Sequence, residues 1–277
     1  MQTALTTRSL FRRHIALPTD HGSWVFLLSP LLIGLFAGGR WTPAIVPLVV
    51  AALAAFLLRQ PMTIAVKAYS GRRSRSDLPA AVLWILIYEL IGFVAVAILL
   101  VLGFWYLLVL ALPAAPVFGW HLSLVSRREE RRQLGVEIVG SGVLALAAPA
   151  AFWVTLGHAD PRGWWLFALT WFQSAASIVY AYMRLEQREL IIAPELPVRL
   201  KMARRALLYT TFNLLAVIPL SFTGHLPRLL PLPYALQWAE TVWGTLYPAV
   251  GVRPTVIGVR QLIVSSLFTL FFILAWR

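Results

Sequence analysis

The chain has no cysteine among its 277 residues. Disulfides, thiolate metal sites and a cysteine nucleophile are therefore excluded. Charge is scarce as well: 13% of residues are Asp, Glu, Lys or Arg, against 60% hydrophobic. A soluble domain of this length needs more polar surface than that. Acids are the scarcest group, 11 against 24 Lys and Arg, which leaves a formal charge of +13. No P-loop or dinucleotide fingerprint occurs. No two carboxylates at helical spacing lie within one apolar run, and the 5 histidines are scattered, so no metal constellation stands out. The cations are spread over separate segments, which speaks against nucleic acid as a partner.

What is present is a series of long apolar runs. Runs at 23–39, 43–58, 79–101, 103–120, 136–156, 164–183, 206–223, 233–250 and 257–276 predict an all-α, polytopic membrane bundle of nine transmembrane helices. The whole chain, 1–277, reads as a single integral membrane domain. It divides into an N-terminal tail (1–22), a first helical half (23–120), a second half (136–223) and additional helices (224–277). The tail is basic but lacks an apolar core followed by a cleavage site, so it reads as cytoplasmic and not as a signal peptide. With that end inside, 20 of the Lys and Arg fall on the cytoplasmic side and 4 outside. This asymmetry predicts a bacterial inner-membrane protein with a cytoplasmic N-terminus and an external C-terminus. "ILIYELIGFVAVAI" in the third run echoes "ALLYTTFNLLAVIP" in the seventh, which suggests two pseudo-repeated four-helix halves and an added ninth helix.

Chemistry is expected in few places. Arg59 and Gln60 follow the second run in "RQPMTIAVKAYSGRRSRSD", read as the start of a basic cytoplasmic loop. Such a loop orients the chain and attracts anionic headgroups, or it lines an anion site. Gln173, Ser177, Tyr180 and Arg184 share one helical face in the sixth run, as interhelical hydrogen-bonding groups or as a substrate wall. Arg59 and Arg184 are read as the ends of equivalent helices, converging on one anion, with Arg72, Arg73 and Arg75 solvated. His21 is a further candidate donor to that anion. Glu89 is an acid in the middle of the third run and is expected to face the bundle, paired or protonated.

"DHGSWVFLLSPLLIGLFAG", "RQP", "RREERR" and "QSAASIVYAYMRLEQRE" together resemble the YwiC-like family of bacterial membrane proteins. The nine-span plan resembles the UbiA superfamily of intramembrane prenyltransferases. That resemblance implies two related four-helix halves and a cavity open to the cytoplasm. It also implies acid-rich motifs after spans 2 and 6, holding magnesium against a prenyl diphosphate. Here those places read "RQPMTIAVK" and "YMRLEQRE", so the magnesium ligands do not carry over and no cofactor is expected. The function expected is binding of an anionic-headed lipid or isoprenoid- or quinone-like molecule in a cytoplasm-facing cavity, as in an atypical UbiA-like transferase. The head would be held by Arg59, Arg184 and His21. A transporter or proton-coupled carrier, and an accessory subunit without a substrate, are the alternatives. The sequence names no reaction.

Overall fold

In lipid, a backbone segment has no hydrogen-bonding partner but itself, and a helix satisfies its own amides and carbonyls. The computed structural model describes residues 12–18, 21–129 and 133–276, and their regular structure is entirely helical. The helices run in the order Arg13–Ala16 (α1), His21–Gly38 (α2), Ile45–Tyr69 (α3), Leu78–Val101 (α4), Ala111–Arg127 (α5), Leu134–Ala145 (α6), Ala147–Leu156 (α7), Arg162–Gln187 (α8), Leu196–Phe222 (α9), Pro231–Leu246 (α10) and Pro254–Trp276 (α11). Short 3-10 turns, Arg75–Asp77 and Trp105–Leu110, lead into α4 and α5.

Seven segments are long and apolar enough to cross a membrane: α3, α4 and α5 with their leading turns, the α6–α7 pair, α8, α9 and α11. The other two expected spans are also helical but shorter. Helix α10 has 16 residues, about 24 Å, less than the ~30 Å of a bilayer's hydrocarbon. It stops at Leu246 because Pro248 disfavours the helical conformation at Tyr247, whose ψ is 81°. The α6–α7 pair breaks at Leu146. Pro149 gives no amide to the carbonyl four residues back, and its ring crowds that carbonyl.

The largest departure from the expected boundaries is in α3. The stretch after Arg59 is not a loop, because the helix continues through Pro61 to Tyr69. Ile64, Ala65 and Ala68 bury their side chains there, and that burial offsets the one amide lost at Pro61. Only a short turn follows, with Gly71 at φ 68°, a conformation glycine adopts without steric cost.

The chain forms two compact units. One comprises the described part of Met1–His21 with Arg40–Val136 and Trp153–Asp160; the other comprises Gly22–Gly39, Glu137–Phe152 and Pro161–Arg277. In the first unit α3 and α4 pack as a pair, and small residues (Ala65, Ala80 and Ala81) let them approach closely around Ile64 and Ile15. In the second unit α2 meets α7 at Gly34, where a Cβ would overlap the carbonyl of Ala148. Ser29 and Thr269 share a hydrogen bond of 2.5 Å between α2 and α11. Helix α8 is the most enclosed of the long helices, with a buried face running from Gly163 to Gln187.

Candidate functional site

The polar face of α8 sets the site. Thr170, Gln173, Ser174, Ser177, Tyr180, Arg184 and Gln187 recur at three- and four-residue steps, and all are buried. Helix α10 supplies partners along the same line. Gln237 Nε2 donates to the Gln173 carbonyl at 2.9 Å and to Ser177 Oγ at 3.1 Å. Gln173 Nε2 also donates to Ser177 Oγ, at 3.1 Å. Gln173 and Ser177 therefore act in interhelical hydrogen bonding, one of the two roles their spacing offered.

One and two turns further along α8 the seam becomes ionic. Tyr180 OH donates to Glu240 Oε1 at 2.7 Å. Arg260, from α11, clasps both oxygens of the same carboxylate, Nε to Oε1 at 2.6 Å and Nη2 to Oε2 at 2.7 Å. Such a bidentate pair has a geometry that only a planar guanidinium offers. Arg184 is 5% exposed. Its Nη1 donates to Gln187 Oε1 at 2.9 Å and to the carbonyls of Gly244 and Tyr247 at 2.8 and 2.7 Å. Those carbonyls lie at the C-terminal end of α10, where helical acceptors have no partner of their own and a cation is favoured. The Trp243 ring meets both cations: the Arg260 guanidinium carbon is 3.4 Å and that of Arg184 5.3 Å from its ring centroid. Gly244 leaves room for the Tyr180 ring, which a Cβ there would strike.

These groups border a small pocket of about 130 Å³, lined by Tyr180, Arg184, Trp243, Arg260 and Gln261 with Val252, Val256 and Ile257. Two guanidinium groups line it, and one of them, that of Arg260, is paired with Glu240. Glu240, Arg260 and Trp243 were not singled out from the sequence. The available signal was an acid inside the apolar run 233–250, which has the same rarity that drew attention to Glu89.

The first unit gives a different answer for the basic stretch that precedes α4. Asp77 accepts from Arg73 Nε and from Arg12 Nη1, each at 2.7 Å. Arg72 Nη1 donates to the Val125 carbonyl. The expectation that Arg72 and Arg73 are solvated is thus corrected: the helical stretch through Tyr69 carries them back against the protein, where an internal acid and a carbonyl meet them. Gln60 Nε2 donates to the His14 carbonyl at 3.1 Å, and Tyr88 OH to the Ala16 carbonyl at 3.0 Å. Both bonds fasten the segment carrying α1. Arg59 lies within α3, not at its end, with its guanidinium 6.0 Å from the Phe56 ring centroid. The His21 side chain lies outside the described residues.

Glu89 is exposed at the middle of α4 beside exposed Leu86, Leu90 and Phe93, and it has no hydrogen bond or ion pair among the described residues. The expectation that it faces the bundle is corrected. The buried line of α4 runs through Ala81, Tyr88, Ala95 and Leu99, and one residue past Tyr88 turns ~100° away from it. Glu186 and Glu189, which follow Arg184, are exposed, and no three His, Asp or Glu gather among the described residues.

Long apolar helices with a polar, hydrogen-bonded interior define an integral membrane protein of the polytopic helical class. Within that class, residues 17–152 match the family described as "YwiC-like protein", the family that the sequence resembles. The chain is also 27% identical over 155 residues to "Uncharacterized protein YwiC" of Bacillus subtilis (strain 168), a stretch covering 54% of this chain and 59% of that protein. The chain thus spans about three fifths of the length of that relative. No solved structure matches. The pocket residues, Tyr180 to Gln261, all lie beyond the family match.

Proposed function

We propose that this membrane protein binds an amphipathic molecule whose anionic head enters the pocket beside Arg184 and Arg260. The observation that carries the reading is the imbalance of charge. Two guanidinium groups face one carboxylate, and Arg184 Nη2 and Arg260 Nη1 have no acceptor among the described residues. Partly buried cations left with free donors favour an anion, because the low local dielectric strengthens the attraction and a guanidinium fork suits phosphate or carboxylate. The apolar wall of Val252, Val256 and Ile257 suits the first carbons of a tail.

The tail class is isoprenoid- or quinone-like under the UbiA-like resemblance, and the two-half, nine-span plan is part of the same reading. So is a bacterial inner-membrane location with this pocket toward the cytoplasm. Arg260 takes the place that the sequence reading gave to Arg59 as partner of Arg184.

The test is lipid mass spectrometry on gently purified protein, comparing wild type with Arg260→Gln. An amphipathic anion that co-purifies with wild type and falls at least tenfold in the variant supports the reading. Removing one charge-assisted contact weakens binding by about ten- to a hundredfold. Equal recovery from both proteins, or no such molecule with either, overturns it.

A further inference from the structure

Helix α9 carries a cationic feature separate from the pocket. Lys201, Arg204 and Arg205 are exposed, and Arg204 and Arg205, three and four residues beyond Lys201, share its helical face. The same face continues as Leu208, Phe212 and Leu215, exposed by 62%, 58% and 62%. None of the three cations has a hydrogen bond or ion pair among the described residues, although Glu186, Glu189 and Glu195 are exposed in the segment before them.

Depth makes the pattern specific. From Arg205 to the end of α9 at Phe222 the helix rises about 26 Å, close to the ~30 Å of a bilayer's hydrocarbon, so the cations fall at headgroup level. From Arg205 to Leu215 the rise is about 15 Å, the hydrocarbon depth of one leaflet. Three unpaired cations at the headgroup plane stand above an exposed apolar stripe of acyl-chain length.

We infer that this face holds an anionic phospholipid of the surrounding membrane. Its phosphodiester lies against Lys201, Arg204 and Arg205, and an acyl chain runs along Leu208, Phe212 and Leu215. The site does not depend on the pocket at Arg184 and Arg260.

The experiment is native mass spectrometry of the full chain in detergent, titrated with phosphatidylglycerol, phosphatidylcholine or inorganic phosphate. Wild type is compared with a K201Q/R204Q/R205Q variant and with R260Q. Phosphatidylglycerol binds wild type and R260Q alike, and phosphatidylcholine binds much more weakly. The triple variant loses on the order of a hundredfold in affinity, since each cation at an anionic surface contributes about fivefold. Two results overturn the inference: equal binding of phosphatidylglycerol by the triple variant, or equal binding of phosphatidylcholine by wild type. Displacement of the lipid by inorganic phosphate at equal concentration also overturns it, because the apolar stripe then contributes nothing. Loss of binding in R260Q alone assigns the lipid to the pocket and overturns it too. The three substituted residues are exposed, and circular dichroism of the triple variant confirms that its helices are intact.

Discussion

Gly244 decides whether Tyr180 can reach Glu240, because a single added methyl group would overlap the phenol ring. Gly244→Ala is therefore expected to push Tyr180 off the carboxylate and to destabilise the protein by about 1–3 kcal/mol, the usual cost of overpacking. A lowered thermal midpoint in detergent checks it, and an unchanged midpoint contradicts the packing described. Arg184 has a more structural part than its neighbour Arg260. Its Nη1 donates to the Tyr247 carbonyl and shares the Gly244 carbonyl with Gln187 Nε2, so Arg184→Ala removes the side-chain donor to Tyr247 and is expected to cost about 1–3 kcal/mol of stability. Glu89 makes the opposite case. Being exposed and unpartnered, it is expected to tolerate Glu89→Gln with a change within about 0.5 kcal/mol. A large loss of stability in that variant would restore a buried role. The two acids show why single residues are hard to read from sequence. Glu89 and Glu240 both interrupt apolar runs, but one residue of rotation separates a lipid-facing from a bundle-facing side chain. The deciding periodicity of α4 is blurred where nearly every residue is apolar.

At the scale of elements, the polar line of α8 was legible because four polar residues at helical spacing stand out from an apolar run, and all four are buried. The length of α3 was not. "RQP" combines a cation, an amide and a proline, which elsewhere mark a helix end, but the apolar "MTIAV" beyond it finds a partner face on α4 and the helix persists. The docking of α1 was also invisible. It depends on Asp77 meeting Arg12 across 65 positions of chain, a separation local patterns do not reach. Asp77 joins α1 to the start of α4, with Arg73 holding its second oxygen. Asp77→Asn is expected to leave Arg12 without its ion pair and to loosen α1. Ile15, now 0% exposed, reports this. An Ile15→Cys label site should react slowly with maleimide in the parent and several times faster with Asn at position 77. Equal rates would mean that Gln60, Tyr88 and apolar packing hold α1 without the acid.

For the whole molecule, the membrane class followed from composition alone, since 60% hydrophobic residues in long runs leave few other solutions. The orientation expected from the sequence rests on a different quantity, the split of Lys and Arg between the segments that join the spans. Positive charge resists translocation, so cation-rich loops stay on the cytoplasmic side. The stretches 59–78, 121–135 and 184–205, which join the expected spans, carry 15 of the 24 Lys and Arg, while Arg40 and Arg162 stand alone in 40–42 and 157–163. The natural absence of cysteine makes the test clean, because every introduced thiol reports one position. Cysteine at Ser74, Glu129 or Glu195 is expected to react with a membrane-impermeant maleimide only when the cytoplasmic face is open to it. Cysteine at Thr42 or His158 is expected to react from the outside in intact cells. With α5 taken together with its leading turn, α2 and α10 are the shortest of the expected spans, so the loops beside them discriminate best. If α2 failed to cross, the residue 42 site would face the cytoplasm, and α3 would then have to begin from that side. Every later loop would invert, placing the cation-rich segments outside against the charge rule. Labelling of Thr42→Cys from the cytoplasmic face alone would therefore overturn the orientation, and labelling from outside would establish α2 as a true span despite its length.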